Sequence, residues 1–232
     1  MDQNLRYFKT GCKKLDKLLN GGFPSCSLSL IYGEAGTGKT TLAFQASIQA
    51  AIKGFKVLFL DPDQSFSAQR LAQIAGEDIE KISASILVFQ PETFMHQAML
   101  VENLEKYISK NVGLLVVDTL TSLYRIAFES RSSIFILNKE LNRQLAYLND
   151  LAKKYNLSVL VLSQVHAKPY DDFKAEVIGK RVLAYWSKVV LRINQTPKPN
   201  IREIILERFF SNELNDRECY LSLTKHGFRD YE

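Results

Sequence analysis

Cysteine is scarce. Cys12, Cys26 and Cys219 are the three in 232 residues, widely spaced, with no C-x-x-C pair and three histidines in the whole chain. An odd, unclustered set argues against a disulfide framework and a zinc site, and reads as small apolar side chains in a reducing compartment. Long apolar runs are absent as well. No stretch approaches the ~20 residues of a membrane span, and the opening MDQNLRYFKTGCKK has charges but no signal-peptide core. The chain therefore reads as cytoplasmic, with no membrane partner. Internal repeats, low-complexity tracts, linkers and runs of five or more like charges are also missing. Thirty Lys and Arg against twenty-five Asp and Glu leave a net charge of +5, which permits a nucleic-acid partner without requiring one. Hydrophobic residues at 46% and charged residues at 24% are ordinary globular usage. This length is consistent with one domain over 1–232 that buries roughly 70–75% of its unfolded surface without staples.

What is present is an alternation. TGCKKLDKLLNGG at 10–22 carries a short helical pattern (Leu15, Leu18, Leu19) ended by two glycines. SLSLIY at 27–32 reads as a strand, GKTTLAFQASIQAAIK from Gly38 as a helix stopped by Gly54, and KVLFL at 56–60 as a strand ending at Asp61-Pro62. A helix is predicted at 67–76 with Ser67 as N-cap, then a strand at 85–89. The next helix has Pro91 in its first turn and runs to about residue 110. GLLVVD at 113–118 is an uninterrupted apolar strand of the kind buried on both faces of a parallel sheet. The longest helix spans 132–155, with Ile134, Leu137, Leu141, Leu145, Leu148 and Leu151 stepping by three and four. LSVLVLSQ at 157–164 is another buried strand, followed by shorter strand-like runs near 187–193, 202–208 and 219–224, with a Pro197/Pro199 turn between the first two. The fold class is α/β: a mainly parallel central sheet flanked by helices, with short terminal antiparallel strands.

GEAGTGKT at 33–40 fits G-x-x-x-x-G-K-[ST] in full, between a predicted strand and a predicted helix. Gly33, Gly36 and Gly38 permit the close approach that lets the N–H groups of Glu34, Ala35, Gly36, Thr37 and Gly38 line an anion-sized hollow. The positive end of the following helix adds to that field. Lys39 is expected on the β- and γ-phosphates of ATP, the Thr40 hydroxyl on Mg²⁺, and Thr41 near the α-phosphate. Asp118 ends the strand LLVVD, where ligands sit in open α/β sheets, and a carboxylate there orders Mg²⁺ through its water shell. Capping of the next segment is the plainer use for it.

TGCKKLDKLLNGG, GEAGTGKTTLAFQ, LLVVDTLTSLYR, LSVLVLSQVH and LSLTKHGFRD follow in the order seen in RecA/RadA-type recombinases, and the chain resembles their short archaeal RadB branch along essentially its whole length. The fold implied is a RecA-like P-loop NTPase core. The TG…LD segment starts at residue 10, so the N-terminal helical DNA-binding domain of RadA-type proteins is expected to be absent.

The resemblance also implies roles. Where the family has D-T-E, whose Glu orients the attacking water, Asp61-Pro62-Asp63 stands here. Asp63 is one methylene shorter, about 1.5 Å of reach. A misplacement of about 1 Å costs on the order of a hundredfold in rate, so normal binding with slow hydrolysis is expected. A turn or helix-start role is the alternative for Asp63. Arg70 matches the Arg that stacks on adenine, and reads equally as a solvated helix residue. Gln164 matches the Gln that senses the γ-phosphate; a buried sheet-edge amide is its plain reading, and His166 reads as a surface or packing residue. DNA contact is implied at two loops: one holding Arg125 and Arg131 near Tyr124, the other at 166–180 with Lys168, Lys174 and Lys180. Pairing of one Arg with Glu129 is the alternative for the first. The second loop has a single glycine and the pair Asp171-Asp172, which speaks against strand exchange. Tyr185 and Trp186 read as core. The region near 207–215 matches the family's cap on a neighbour's ATP but lacks its usual Pro.

The resemblance implies an ATP- and DNA-binding accessory protein of homologous recombination and DNA repair, with weak Mg²⁺-dependent ATPase, expected to act on single-stranded or branched DNA at the nucleoid. A RadA-type recombinase, a Holliday-junction nuclease and further copies of the chain are the implied partners. A KaiC-like regulatory ATPase or autokinase shares the TG…LD..GG opening but usually presents a paired Glu where DPDQ stands here. A small-molecule kinase needs an acceptor pocket and lid to which no residues point.

Overall fold

The computed structural model describes residues 5–129, 133–165, 181–210 and 217–231. Its strands and helices alternate as expected. A two-residue ribbon, β1 (Tyr7–Phe8) with β2 (Phe23–Pro24), brackets α1 (Lys13–Leu18). Then come β3 (Ser27–Gly33), α2 (Lys39–Ile52), β4 (Lys56–Leu60), α3 (Ala68–Ala75), α4 (Ile79–Ser83), β5 (Ile86–Phe89) and α5 (Phe94–Asn103). The chain continues through β6 (Val112–Val117), α6 (Ser122–Glu129), α7 (Ile134–Tyr155), β7 (Ser158–Gln164), a helical turn at 181–186, β8 (Val189–Gln195), β9 (Ile201–Phe209), β10 (Arg217–Thr224) and β11 (Gly227–Asp230).

Among the described residues, nine strands form one sheet in the order β11-β10-β9-β8-β3-β7-β6-β4-β5. Pairing is parallel from β8 through β5 and antiparallel from β8 to β11. Every residue of β3 and β6 is buried, as their unbroken apolar runs require of strands covered on both faces. One face packs Ile31, Phe59, Val116, Leu162 and Leu191 against α2 and its Leu42, Phe44 and Ile48. The other packs Leu30, Leu58, Leu115 and Val161 against the Leu137–Leu141–Leu145–Leu148–Leu151 stripe of α7. This leaves the carboxyl ends of β3, β4, β6 and β7 side by side at one end of the sheet.

Three readings need correction. The helix expected from Pro91 starts at Phe94, because the Thr93 hydroxyl accepts the His96 N–H at 3.1 Å and caps it there; it ends at Asn103 and tightens into a 3₁₀ turn, Leu104–Tyr107. Arg125 lies on α6, a helix, where a loop was expected. Tyr124 beside it packs, one of the two uses expected of it: its ring meets Phe94 and Phe128, and its hydroxyl donates to Asn138 Oδ1 at 2.6 Å. Tyr185 is not core. It is 79% exposed, while Trp186 is half-buried and donates from Nε1 to Asn142 Oδ1.

Candidate nucleotide-binding site

Gly33 closes β3 between β7 and β8, in register with Gln164 on one side and Ile193 on the other. A Cβ there would lie 2.3 Å from the Ile193 carbonyl oxygen, so only glycine fits. The loop then turns on the Thr37 hydroxyl, which donates to the Glu34 carbonyl at 2.8 Å. Gly38, at φ +100°, starts α2; a side chain there would be strained and would strike the Phe228 ring at 2.7 Å. Because the N-cap is glycine, no side chain satisfies the first N–H groups of this 14-residue helix. Glu34, Ala35 and Gly36 are exposed, and Thr41 sits half-buried in the first turn of α2.

Lys39 is buried, and its Nζ donates to the carbonyls of Gly33 at 2.9 Å and Glu34 at 2.8 Å. Burial pulls its pKa below the ordinary lysine value, against the opposing pull of Asp118, Asp63 and Glu34. Thr40 Oγ1 donates to Asp118 Oδ2 at 2.6 Å, joining the start of α2 to the end of β6. Burial pushes the Asp118 carboxyl up to about 6; the Thr40 hydrogen bond and Lys39 oppose this, while Asp63 and Asp61 reinforce it. The peptide between Asp118 and Thr119 is cis.

Asp63 is exposed just beyond β4 and accepts from Thr119 Oγ1 at 3.5 Å. The turn around it belongs to a different residue. Asp61, wholly buried, accepts from the backbone N–H groups of Ser65 and Phe66 and from Gln90 Nε2, which fixes 61–66 and leaves Asp63 facing the site. Gln164 ends β7 beside Gly33, and the next residue, Val165, donates its N–H to the Gly33 carbonyl that also receives Lys39.

The residues singled out in the sequence thus fall into four groups. Lys39, Thr40, Asp118, Asp63 and Gln164 converge with the loop 33–38 at the carboxyl ends of four parallel strands. Arg70 stands apart from them: its guanidinium donates to the carbonyls of Thr224 at 3.1 Å and Lys225 at 2.6 Å, tying α3 to the β10–β11 turn. Arg125 is half-buried on α6. Arg131, His166, Lys168, Lys174 and Lys180 lie outside the described residues, as do residues 211–215 of the segment likened to the family's cap. Thr119, Gln195 and Arg202 also reach the site. Gln195 Nε2 donates to the Ala35 carbonyl and Arg202 Nη2 to that of Gly36. No sequence signal marks these two, because their partners lie 160 and 166 residues away.

The donor set suits a nucleotide with Mg²⁺. Two hard oxygens, Thr40 Oγ1 and Asp118 Oδ2, lie together beside a lysine on exchangeable carbonyl partners and an uncapped helix start.

The sequence profile of the Rad51 family matches residues 2–231. The chain belongs to the Rad51 family. Within this family the resemblance is to RadB proteins. The "DNA repair and recombination protein RadB" of Methanococcoides burtonii is 35% identical over 223 residues, spanning 95% of this chain and 96% of that protein. The protein of the same name from Thermococcus kodakarensis is 37% identical over 227 residues, spanning 96% and 99%. A crystal structure described as the RadB recombinase superposes with a TM-score of 0.79 at 34% identity, over 97% of this chain and all of that one. The Rad51-family fold accounts for the large, mostly parallel sheet and its short antiparallel extension. Among the described residues, no helix is long and apolar enough to cross a membrane.

Proposed function

We propose that this Rad51-family chain is an ATP-binding, DNA-binding accessory protein of recombination and DNA repair, with slow Mg²⁺-dependent hydrolysis and no strand exchange of its own. The observation that carries the reading is the meeting of Lys39, Thr40 and Asp118 at the end of a glycine loop, with Asp63 standing where the family has a glutamate.

Thr40 Oγ1 and Asp118 are the groups that would hold Mg²⁺, whose charge would offset that of the nucleotide's phosphate oxygens. Lys39 Nζ exchanges the Gly33 and Glu34 carbonyls for phosphate oxygens. The loop N–H groups bind and orient the polyphosphate. Asp63, with Thr119, accepts the hydrogen bond that positions water for in-line attack, and its short reach makes that step slow. Release of Gly33 by Lys39 changes the partners of a carbonyl shared with Val165, the last described residue before 166–180. Nucleotide state then biases that segment, provided ATP binds its conformations unequally. Arg125, Arg131, Lys168, Lys174 and Lys180 are the proposed phosphate contacts on single-stranded or branched DNA. A RadA-type recombinase, a junction nuclease and further copies of the chain are the proposed protein partners.

The test is equilibrium binding to single-stranded, duplex and branched DNA over a salt series, with and without ATP·Mg²⁺, for the wild type and Lys39→Ala. Affinity that falls steeply with salt and shifts with ATP only in the wild type supports the reading. Absence of DNA binding in every nucleotide state at low salt overturns it, in favour of a regulatory ATPase acting on proteins.

A further inference from the structure

Two side chains from the β8–β9 hairpin reach the back of the phosphate loop. Gln195, the last residue of β8, donates from Nε2 to the Ala35 carbonyl at 3.3 Å. Arg202, near the start of β9, donates from Nη2 to the Gly36 carbonyl at 3.3 Å, and from Nη1 to the carbonyls of Pro199 at 2.6 Å and Ile201 at 3.0 Å. Arg202 is only 8% exposed, and no carboxylate among the described residues pairs with it. Its Nε is buried without a hydrogen bond. A buried cation held only on carbonyl dipoles is costly unless an anion is near. Its nearest functional neighbour is a loop built for anions.

The geometry has a further consequence. In a trans peptide the C=O and N–H point to opposite sides. The Ala35 carbonyl shares its peptide with the Gly36 N–H, and the Gly36 carbonyl shares its peptide with the Thr37 N–H. Drawing both carbonyls toward β8–β9 turns both N–H groups away from it. The Gly36 side of the loop is open, with nothing within 4 Å of a Cβ built there, and the Thr37 N–H has only a long bond of 3.4 Å to Glu34.

We infer that Arg202, with Gln195, is a positioning residue of the nucleotide site: the pair holds two loop carbonyls outward so that the Gly36 and Thr37 N–H groups face the polyphosphate of a nucleoside triphosphate, and the guanidinium supplies a buried positive charge behind them. This rests on the nucleotide-binding reading of the loop. The experiment is calorimetric titration of the full chain with ADP·Mg²⁺ and with a non-hydrolysable ATP analogue. It compares the wild type, Lys39→Ala, Arg202→Met, Arg202→Lys and Gln195→Ala, with circular dichroism melts of each.

Arg202→Met is expected to bind the analogue about tenfold to a hundredfold more weakly, the range for losing a charged hydrogen bond. Arg202→Lys restores part of that loss by keeping the charge without the fork. Gln195 is exposed, so Gln195→Ala keeps the wild-type melt while binding a few-fold more weakly, about the loss expected of one neutral hydrogen bond. If Arg202→Met fails to fold, Gln195→Ala decides by itself, since a merely structural role moves the melt and not the affinity of a folded variant. Wild-type affinity in folded Arg202→Met or in Gln195→Ala overturns the inference alone. A wild-type chain that binds neither nucleotide overturns the reading of the loop, and the inference with it.

Discussion

Asp63 is exposed at the end of β4, 3.5 Å from Thr119 Oγ1 and held there by a turn built on Asp61. Its carboxylate is one carbon short of a glutamate's reach, and water positioning tolerates little error. Asp63→Glu is therefore expected to raise the turnover of ATP, by up to about a hundredfold, with nucleotide affinity unchanged. Phosphate release under saturating ATP checks this, and an unchanged kcat would assign water positioning to another group. The same residue shows what local reading can do. A motif with its own spacing, such as Gly33 to Thr40, is legible because its parts act within one turn. Asp118 is legible because it ends an apolar strand. Arg70 was not settled by its neighbours in the chain: its partners, Thr224 and Lys225, are brought to it by the terminal hairpin.

Helix boundaries follow hydroxyl caps more closely than they follow proline. Ser67 accepts the Arg70 N–H at 3.1 Å and starts α3 as its position implied, whereas Thr93 rather than Pro91 sets the start of α5. The Ser67 cap also holds the helix that carries Arg70 to the β10–β11 turn. Ser67→Ala is expected to lower stability by about 1 kcal/mol, read as a lower urea midpoint at constant m. A shift below ~0.3 kcal/mol would mean that tertiary packing, not the cap, holds α3. The leucine stripe of α7 and the apolar runs of β3, β6 and β7 were legible because burial repeats at the period of the element. β11 was not, because GFRD has one large apolar side chain, Phe228, and no apolar run to mark a strand. α6 was read as part of a loop because resemblance, not periodicity, guided that stretch.

For the molecule as a whole, burial governs the thiols. Cys12 and Cys219 lie in the core beside α1 and β10, and burial pushes both pKa values up to about 12 from an ordinary 9.0. Between those values the unfolded chain gives up these protons while the native chain keeps them. The native state therefore binds more protons, and stability falls as pH rises from about 9 toward 12. Replacing both cysteines by alanine should flatten that part of the curve in melts taken across the range. At pH 8 an aromatic disulfide reagent should label half-buried Cys26 on the native protein and all three thiols only after unfolding. Rapid labelling of three thiols in the native state would contradict the packing of α1 on β10.

Contacts within a few residues, and patterns that repeat at the period of a helix or strand, were determined by the sequence alone. The phosphate loop, the apolar strands and the succession of elements are of this kind, because each is stabilised by neighbours along the chain or by a face whose burial its own composition demands. Which distant side chains complete the site was decided only by tertiary structure. The nine-strand order sets Gly33 between Gln164 and Ile193, brings Thr40 to Asp118 across 78 residues, and lays Arg202 behind Gly36 across 166. Such contacts carry no local propensity. They exist because the strand order that buries both faces of this sheet also sets these distant residues side by side.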